Sequence, residues 1–145
     1  MIGEQARALI LDTSVLLAFL DRDDPAHVRV TDLINSSTAL LVVSPLVLAE
    51  LDYLLLTRGR VDAELAGMRE LTSGAWEVAE FTKEDLADAL AIVERYRSIA
   101  IGATDASLVV LAARHRTRTI ATLDRRHFEF VRSLDGRPFE VVPGA

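Results

Sequence analysis

The apolar runs of this chain of 145 residues are short, and they do not alternate with polar positions. A strand with one wet face alternates apolar and polar residues, whereas a strand buried on both faces reads as a continuous apolar run. Ala8-Leu9-Ile10-Leu11, Ala39-Leu40-Leu41-Val42-Val43 and Thr119-Ile120-Ala121-Thr122-Leu123 are runs of the second kind. Two further strands are predicted near 76–80 and over Phe139-Glu140-Val141-Val142. Helical patterns fill the gaps between them, and strand–helix alternation of this sort forms a parallel sheet with helices on both faces. The predicted fold is α/β, a three-layer α/β/α sandwich with a central parallel sheet. No repeat, low-complexity tract or Pro/Gly-rich linker interrupts it, so residues 1–145 read as one domain.

Local signals place the helices. Asp12-Thr13-Ser14 starts one that runs to about residue 20, and the turn-like Asp21-Arg22-Asp23-Asp24-Pro25 opens a second, to about 35. Ser44-Pro45 is an N-cap followed by proline at the first helical position, and Gly59 stops the helix that follows. A fourth helix covers about 61–72. Thr82 with Asp85 three residues on predicts a capped fifth helix, with Phe81 stapled to Leu86 and an apolar stripe through Leu86, Leu90 and Val93. A sixth helix is predicted over about 104–115, and Asp124 is predicted to open a short last one. Helix three is apolar on nearly all sides and is expected to be buried around most of its circumference, in the core and against a partner.

Composition removes several function classes. Half the residues are hydrophobic, so there is ample material for a core. No apolar run reaches the ~18 residues needed to span a bilayer, and the N-terminal MIGEQARALIL is too short for a secretory signal, which leaves a cytoplasmic protein with no membrane partner. There is no cysteine, which excludes disulfide scaffolds, thiol nucleophiles and cysteine-ligated zinc, and the three histidines are too few for a His-rich metal site. Acids outnumber bases 22 to 16, which argues against simple electrostatic capture of nucleic acid.

In open parallel sheets, ligands bind beyond the carboxyl ends of the strands. Asp12 and Asp124 follow strands at that end, Asp105 stands at the start of helix six, and Glu50 interrupts the apolar run of helix three. Taken one at a time, the aspartates suit helix caps and first turns, and Glu50 suits a solvent-facing position. Taken together, four converging carboxylates would repel one another unless a cation neutralised them. Oxygen ligands without nitrogen or sulfur suit Mg²⁺ or Mn²⁺, and a pair of such ions hydrolyses phosphodiesters. Thr13, Ser14 and Thr122 lie beside the acids and could orient water or phosphate, or simply cap. Arg125 and Arg126, and more remotely Arg116, are candidate phosphate contacts, while His115 and His127 read as structural.

Leu11-Asp12-Thr13-Ser14-Val15-Leu16 resembles the opening motif of PIN domains. Ser44-Pro45 with Ala49-Glu50, then Thr104-Asp105-Ala106, then Ala121-Thr122-Leu123-Asp124 with His127-Phe128, resemble the motifs that follow, in order. The likeness spans essentially the whole chain, and its size suits the VapC-like toxins of type II toxin–antitoxin systems. The resemblance implies a Mg²⁺- or Mn²⁺-dependent endoribonuclease with one or two ions per site. It also implies an RNA substrate, a cognate antitoxin over the active site, and a homodimer. Asp12, Glu50, Asp105 and Asp124 would be the acidic quartet, with Thr13, Ser14 and Thr122 in support; the fourth acid varies most in effect within the family. A phospho-acceptor receiver would need a lysine near 119–124, and a haloacid-dehalogenase-like phosphatase an aspartate at position 14; neither is present. Phosphate-loop and dinucleotide fingerprints are absent. The rival reading is a non-catalytic PIN-like protein that binds RNA or a partner.

Overall fold

The computed structural model describes residues 8–144; the N-terminal stretch considered above as a signal lies largely outside them. The strands are β1 (Ala8–Leu11), β2 (Leu40–Val43), β3 (Trp76–Val78), β4 (Thr119–Ala121) and β5 (Glu140–Val142). The helices are α1 (Thr13–Leu20), α2 (His27–Ser36), α3 (Pro45–Thr57), α4 (Val61–Leu71), α5 (Lys83–Arg95) and α6 (Ala103–Arg114), with a 3₁₀ turn over Arg97–Ile99. The five strands form one sheet in the order β3-β2-β1-β4-β5, parallel throughout. This is the expected α/β architecture. All four residues of β1 are buried, as the unalternating run requires.

The chain steps outward from β1 to β2 to β3 and then returns across the sheet to β4. Right-handed crossovers therefore put the helices of the outward steps and those of the return on opposite faces. Consistent with that, α1 packs on α2, α3 and α4, and α5 packs on α6, which also covers β1 and β4. The direction of winding reverses between β1 and β4, so the crevice of this sheet lies beyond Leu11 and Ala121.

Predicted caps form where the local grammar is strong. Ser44 accepts from the Leu46 amide with Pro45 behind it, and Thr82 and Asp85 make a reciprocal capping box. Gly59 ends α3 at a φ of +71°, a conformation that favours glycine. Asp21 is buried at the end of α1 and clamps it to the end of α3 through Arg58 (3.2 Å) and Arg60 (3.5 Å).

Two expectations fail, for α5 and for the segment after Asp124, and the one for α3 is met on its core side. The stripe on α5 is not Leu86 and Leu90, which are 53% and 57% exposed; Ala89 and Ile92 are buried instead. The smaller residue lets α5 lie close on α6, and the leucines flank the contact. Helix α3 buries one stripe, Val47, Leu51 and Leu55 at i, i+4 and i+8, and leaves Tyr53 and Leu56 in solvent. Among the described residues no helix forms after Asp124. Residues 126–130 make turns, anchored by the burial of Phe128 and Val131, and tertiary packing sets their course. Among the described residues, no helix is long and apolar enough to cross a membrane.

Candidate active site

A cleft of about 430 Å³ opens beyond the carboxyl ends of β1 and β4. Asp12 reaches it from the end of β1, Asp124 from just past β4, Glu50 from the second turn of α3 and Asp105 from the first turn of α6. Residues 19 to 112 positions apart are thus assembled by the sheet order. Ser44 and Ser107, both fully buried and 2.8 Å apart at their hydroxyls, tie together the starts of the two helices that carry Glu50 and Asp105.

Asp12 is the most enclosed of the four. Its Oδ1 accepts from the Thr13 amide (2.7 Å) and its Oδ2 from the Thr122 hydroxyl (2.7 Å). With the Thr122 proton committed to Asp12, Ser14 is the donor across the 3.3 Å to Thr122, and Ser14 Oγ in turn accepts from the Leu123 amide (2.9 Å). Two of the three hydroxyls singled out from sequence therefore form a relay that fixes the Asp12 carboxylate. The third, Thr13, lines the cleft with its hydroxyl buried and without a hydrogen-bond partner among the described residues.

Burial above all pushes the Asp12 carboxyl from an ordinary 3.8 up to about 6. The hydrogen bonds from Thr122 and Thr13 oppose that rise, whereas the charges of Asp105 and Glu50 add to it. Burial also pushes the Asp105 carboxyl up, against the pull of His127 and with the help of Asp124 and Glu50. Asp124 goes the other way: the Arg126 side chain forks onto both its oxygens (2.9 Å each) and holds its carboxyl below the usual range.

The donor set fits an oxygen-ligated divalent cation in kind and number. An enclosed carboxylate made costly by its like-charged neighbours is what a cation would relieve. Among the described residues no three acids are yet gathered closely enough to share one ion. Asp105 is held by His127 Nδ1 (2.6 Å) and Asp124 by Arg126 (2.9 Å), so both carboxylates are engaged with these partners.

His127, read from sequence as structural, lines the cleft and holds Asp105; spacing gave no sign of it because the partners are 22 residues apart. His115 is structural, bonded to Glu77 (2.6 Å) and to the Leu111 carbonyl (2.9 Å). Arg125 and Arg126 flank the cleft on the turn after Asp124, Arg125 donating to the Pro143 carbonyl (3.1 Å). Arg116 is not near it. It follows α6 at the far end of that helix from Asp105, and the nine helical steps from Asp105 to Arg114 at ~1.5 Å each put that end roughly 14 Å away.

The relay makes a prediction. Thr122→Val keeps the shape but removes the hydroxyl that orients Asp12, and loss of such an outer partner typically costs ~10–100-fold in metal affinity or activity. Titration of Mn²⁺ into the variant checks it, and unchanged affinity would show the relay to be a fold element only.

Residues 9–133 match the family model of the PIN domain. The chain is 53% identical to Ribonuclease VapC26 of Mycobacterium tuberculosis (strain ATCC 25618 / H37Rv) over 135 residues, covering 93% of this chain and all of that one. Among solved structures, the fold is similar to Mycobacterium tuberculosis VapC20, a toxin that cleaves the sarcin–ricin loop (TM-score 0.75, 20% identity, 81% of this chain and 91% of that one). It is also similar to VapBC2 from Rickettsia felis, bound to a DNA fragment from its promoter (TM-score 0.67, 15% identity, 92% and 98%). These two likenesses concern the fold; the sequence match over nearly the whole chain carries the assignment, and with the ordered acids of the cleft it makes this protein a member of the PIN-domain family, in its VapC-like ribonuclease branch.

Proposed function

We propose that the cleft hydrolyses RNA phosphodiester bonds with Mg²⁺ or Mn²⁺, one or two ions per site, held by Asp12, Glu50, Asp105 and Asp124. The observation that carries this reading is that four carboxylates from four separate elements line one cleft, and that Asp12 and Asp105 are raised partly by their acidic neighbours. A bound ion would polarise the scissile phosphate and make the attacking water more acidic. The chain's own residues do the rest. Thr122 and Ser14 hold the Asp12 carboxylate in one orientation, His127 holds Asp105, and Arg125 and Arg126 offer cations to phosphates at the rim. Residues 1–145 act as a single nuclease domain in the cytoplasm.

A cognate antitoxin and a homodimer complete the proposal. Tyr53 and Leu56 of α3, with Leu65 and Met68 of α4, leave an apolar surface in solvent that a partner would cover. The likeness to VapBC2 from Rickettsia felis supports the first partner.

Purified protein, stripped of antitoxin, is incubated with structured RNA in Mg²⁺, in Mn²⁺ and in EDTA, and again as Asp105→Asn. Cleavage is expected only with metal and only in the parent. Cleavage that persists in EDTA or in the variant sinks the metal–carboxylate mechanism, and no cleavage of any RNA would favour the non-catalytic binding protein.

A further inference from the structure

Phe130 is 65% exposed, in a segment that otherwise buries its large apolar side chains. Phe128 is buried edge-on against Phe139, with centroids 5.8 Å apart, and Val131 is buried beside it. The Phe130 amide donates to the His127 carbonyl (3.1 Å) and the Val131 amide to the same carbonyl (2.9 Å), which fixes the turn. Beyond it, the Arg132 amide donates to the Tyr96 hydroxyl (3.1 Å), and Arg132 pairs with Pro138 in an antiparallel bridge. Rotating the turn to bury Phe130 would pull Phe128 and Val131 into water. The ring is therefore held outward by its neighbours' packing.

Its position is specific as well. The bond from Phe130 back to His127 is that of a β-turn, whose ends lie within ~7 Å, and the His127 ring lines the acidic cleft. Residues 125–132 carry three arginines against one glutamate, in a chain whose formal charge is −6. The Arg126 side chain is 82% exposed. A fixed outward aromatic ring, flanked by arginines and one turn from a hydrolytic centre, has the chemistry used to hold unpaired bases. The ring stacks on the base face while the cations hold the backbone, and fully paired RNA, whose bases are already stacked, gains nothing from the ring.

We propose that Phe130 is a specificity-determining residue that stacks on an unpaired base of the RNA next to the scissile phosphate, with Arg126 and Arg132 against the adjoining backbone. This rests on the cleft being the RNA-cleaving site. An apolar contact with a protein partner is the competing use of the same ring; the clustered arginines, in an acidic chain, favour RNA.

The test measures binding in the cleavage-silenced Asp105→Asn protein, with Phe130→Ala and Phe130→Trp added in turn. The probes are a synthetic RNA hairpin carrying 2-aminopurine in its loop and a fully paired duplex of equal length. Phe130→Ala is expected to bind the hairpin roughly tenfold more weakly, to lose the change in 2-aminopurine fluorescence, and to bind the duplex as before. Phe130→Trp should restore hairpin binding, and melting temperatures should not move, because the ring is already in water. Equal hairpin binding by the parent and Phe130→Ala overturns the assignment and leaves the nuclease reading intact. So does equal weakening on both RNAs, or loss of antitoxin co-purification with RNA binding unchanged. If the parent binds neither RNA, the reading of the cleft as an RNA site falls first and Phe130 falls with it.

Discussion

Asp12→Asn is expected to abolish metal-dependent RNA cleavage while making the metal-free protein more stable. The activity loss should be about 10³-fold or more, since a metal clamp supplies several kcal/mol to the transition state and each ~1.4 kcal/mol is tenfold. The gain in stability has a separate cause. A carboxyl raised from 3.8 to about 6 is disfavoured as the anion in the fold, and two units of that kind cost about 3 kcal/mol at neutral pH. Asparagine has the same shape, can accept from the Thr13 amide and can donate to the Thr122 hydroxyl, so the two hydrogen bonds survive in altered form. Thermal melts in EDTA at pH 7.5 should therefore show the variant above the parent, while cleavage assays in Mg²⁺ or Mn²⁺ show it dead. A variant that is inactive and also less stable in EDTA would mean that Asp12 serves the fold as a cap, and that its negative charge is not held there for a cation.

The second large effect is on pH. Protons and the cation compete for Asp12, so apparent affinity for Mn²⁺ should be flat above about pH 6 and fall by about tenfold per unit below it. Asp105, raised in the same direction mainly by burial, steepens the fall. The sign for stability follows from the same shift. Because the folded value lies above the unfolded one, the metal-free protein loses stability from this group as pH rises from about 4 to about 6, and is level beyond. Asp21 and Asp85 act oppositely. Burial raises Asp21, but the Asp23 amide, Arg58 and Arg60 outweigh it, and the Arg114 bond above all lowers Asp85, so what they contribute is lost as pH falls below the ordinary carboxylate range. The stabilisation conferred by Mn²⁺ should accordingly be larger at pH 7.5 than at pH 5. Calorimetric titration and melts at the two values check both statements, and an affinity that does not change between pH 5 and 7 would remove Asp12 from the ligand set.

The acids legible in the sequence were legible for a local reason. Each follows a strand run or opens a helix at the end where parallel sheets bind ligands, and Glu50 sits in a helix too apolar for it to pass unnoticed. Thr122 and Ser14 were named for their neighbours, and the structure gives them a shared task 108 residues apart. His127 was missed because its partner, Asp105, is brought to it only by the packing of α6 beside β4. Arg116 was overvalued because a cluster in sequence straddles the connection from α6 to β4, and that connection lies at the wrong end of the sheet. The exposed Leu86 and Leu90 carry the same lesson for helices: periodicity marks an apolar stripe, and the size of the neighbouring side chains decides which part of it touches the core.

By itself, then, the sequence determined the strands, most helix starts and the order of the acidic motifs, because these depend on burial patterns and hydrogen bonds spanning a few residues. The tertiary structure alone decided which charges meet. Strand order brings β4 beside β1, so Thr122 reaches Asp12 across more than a hundred residues and Asp124 lines the same cleft, and burial there turns an ordinary cap aspartate into one whose charge is costly without a cation. The turn that follows owes its shape to Phe128 and Val131 entering the core, and that same packing leaves Phe130 facing solvent one β-turn from His127.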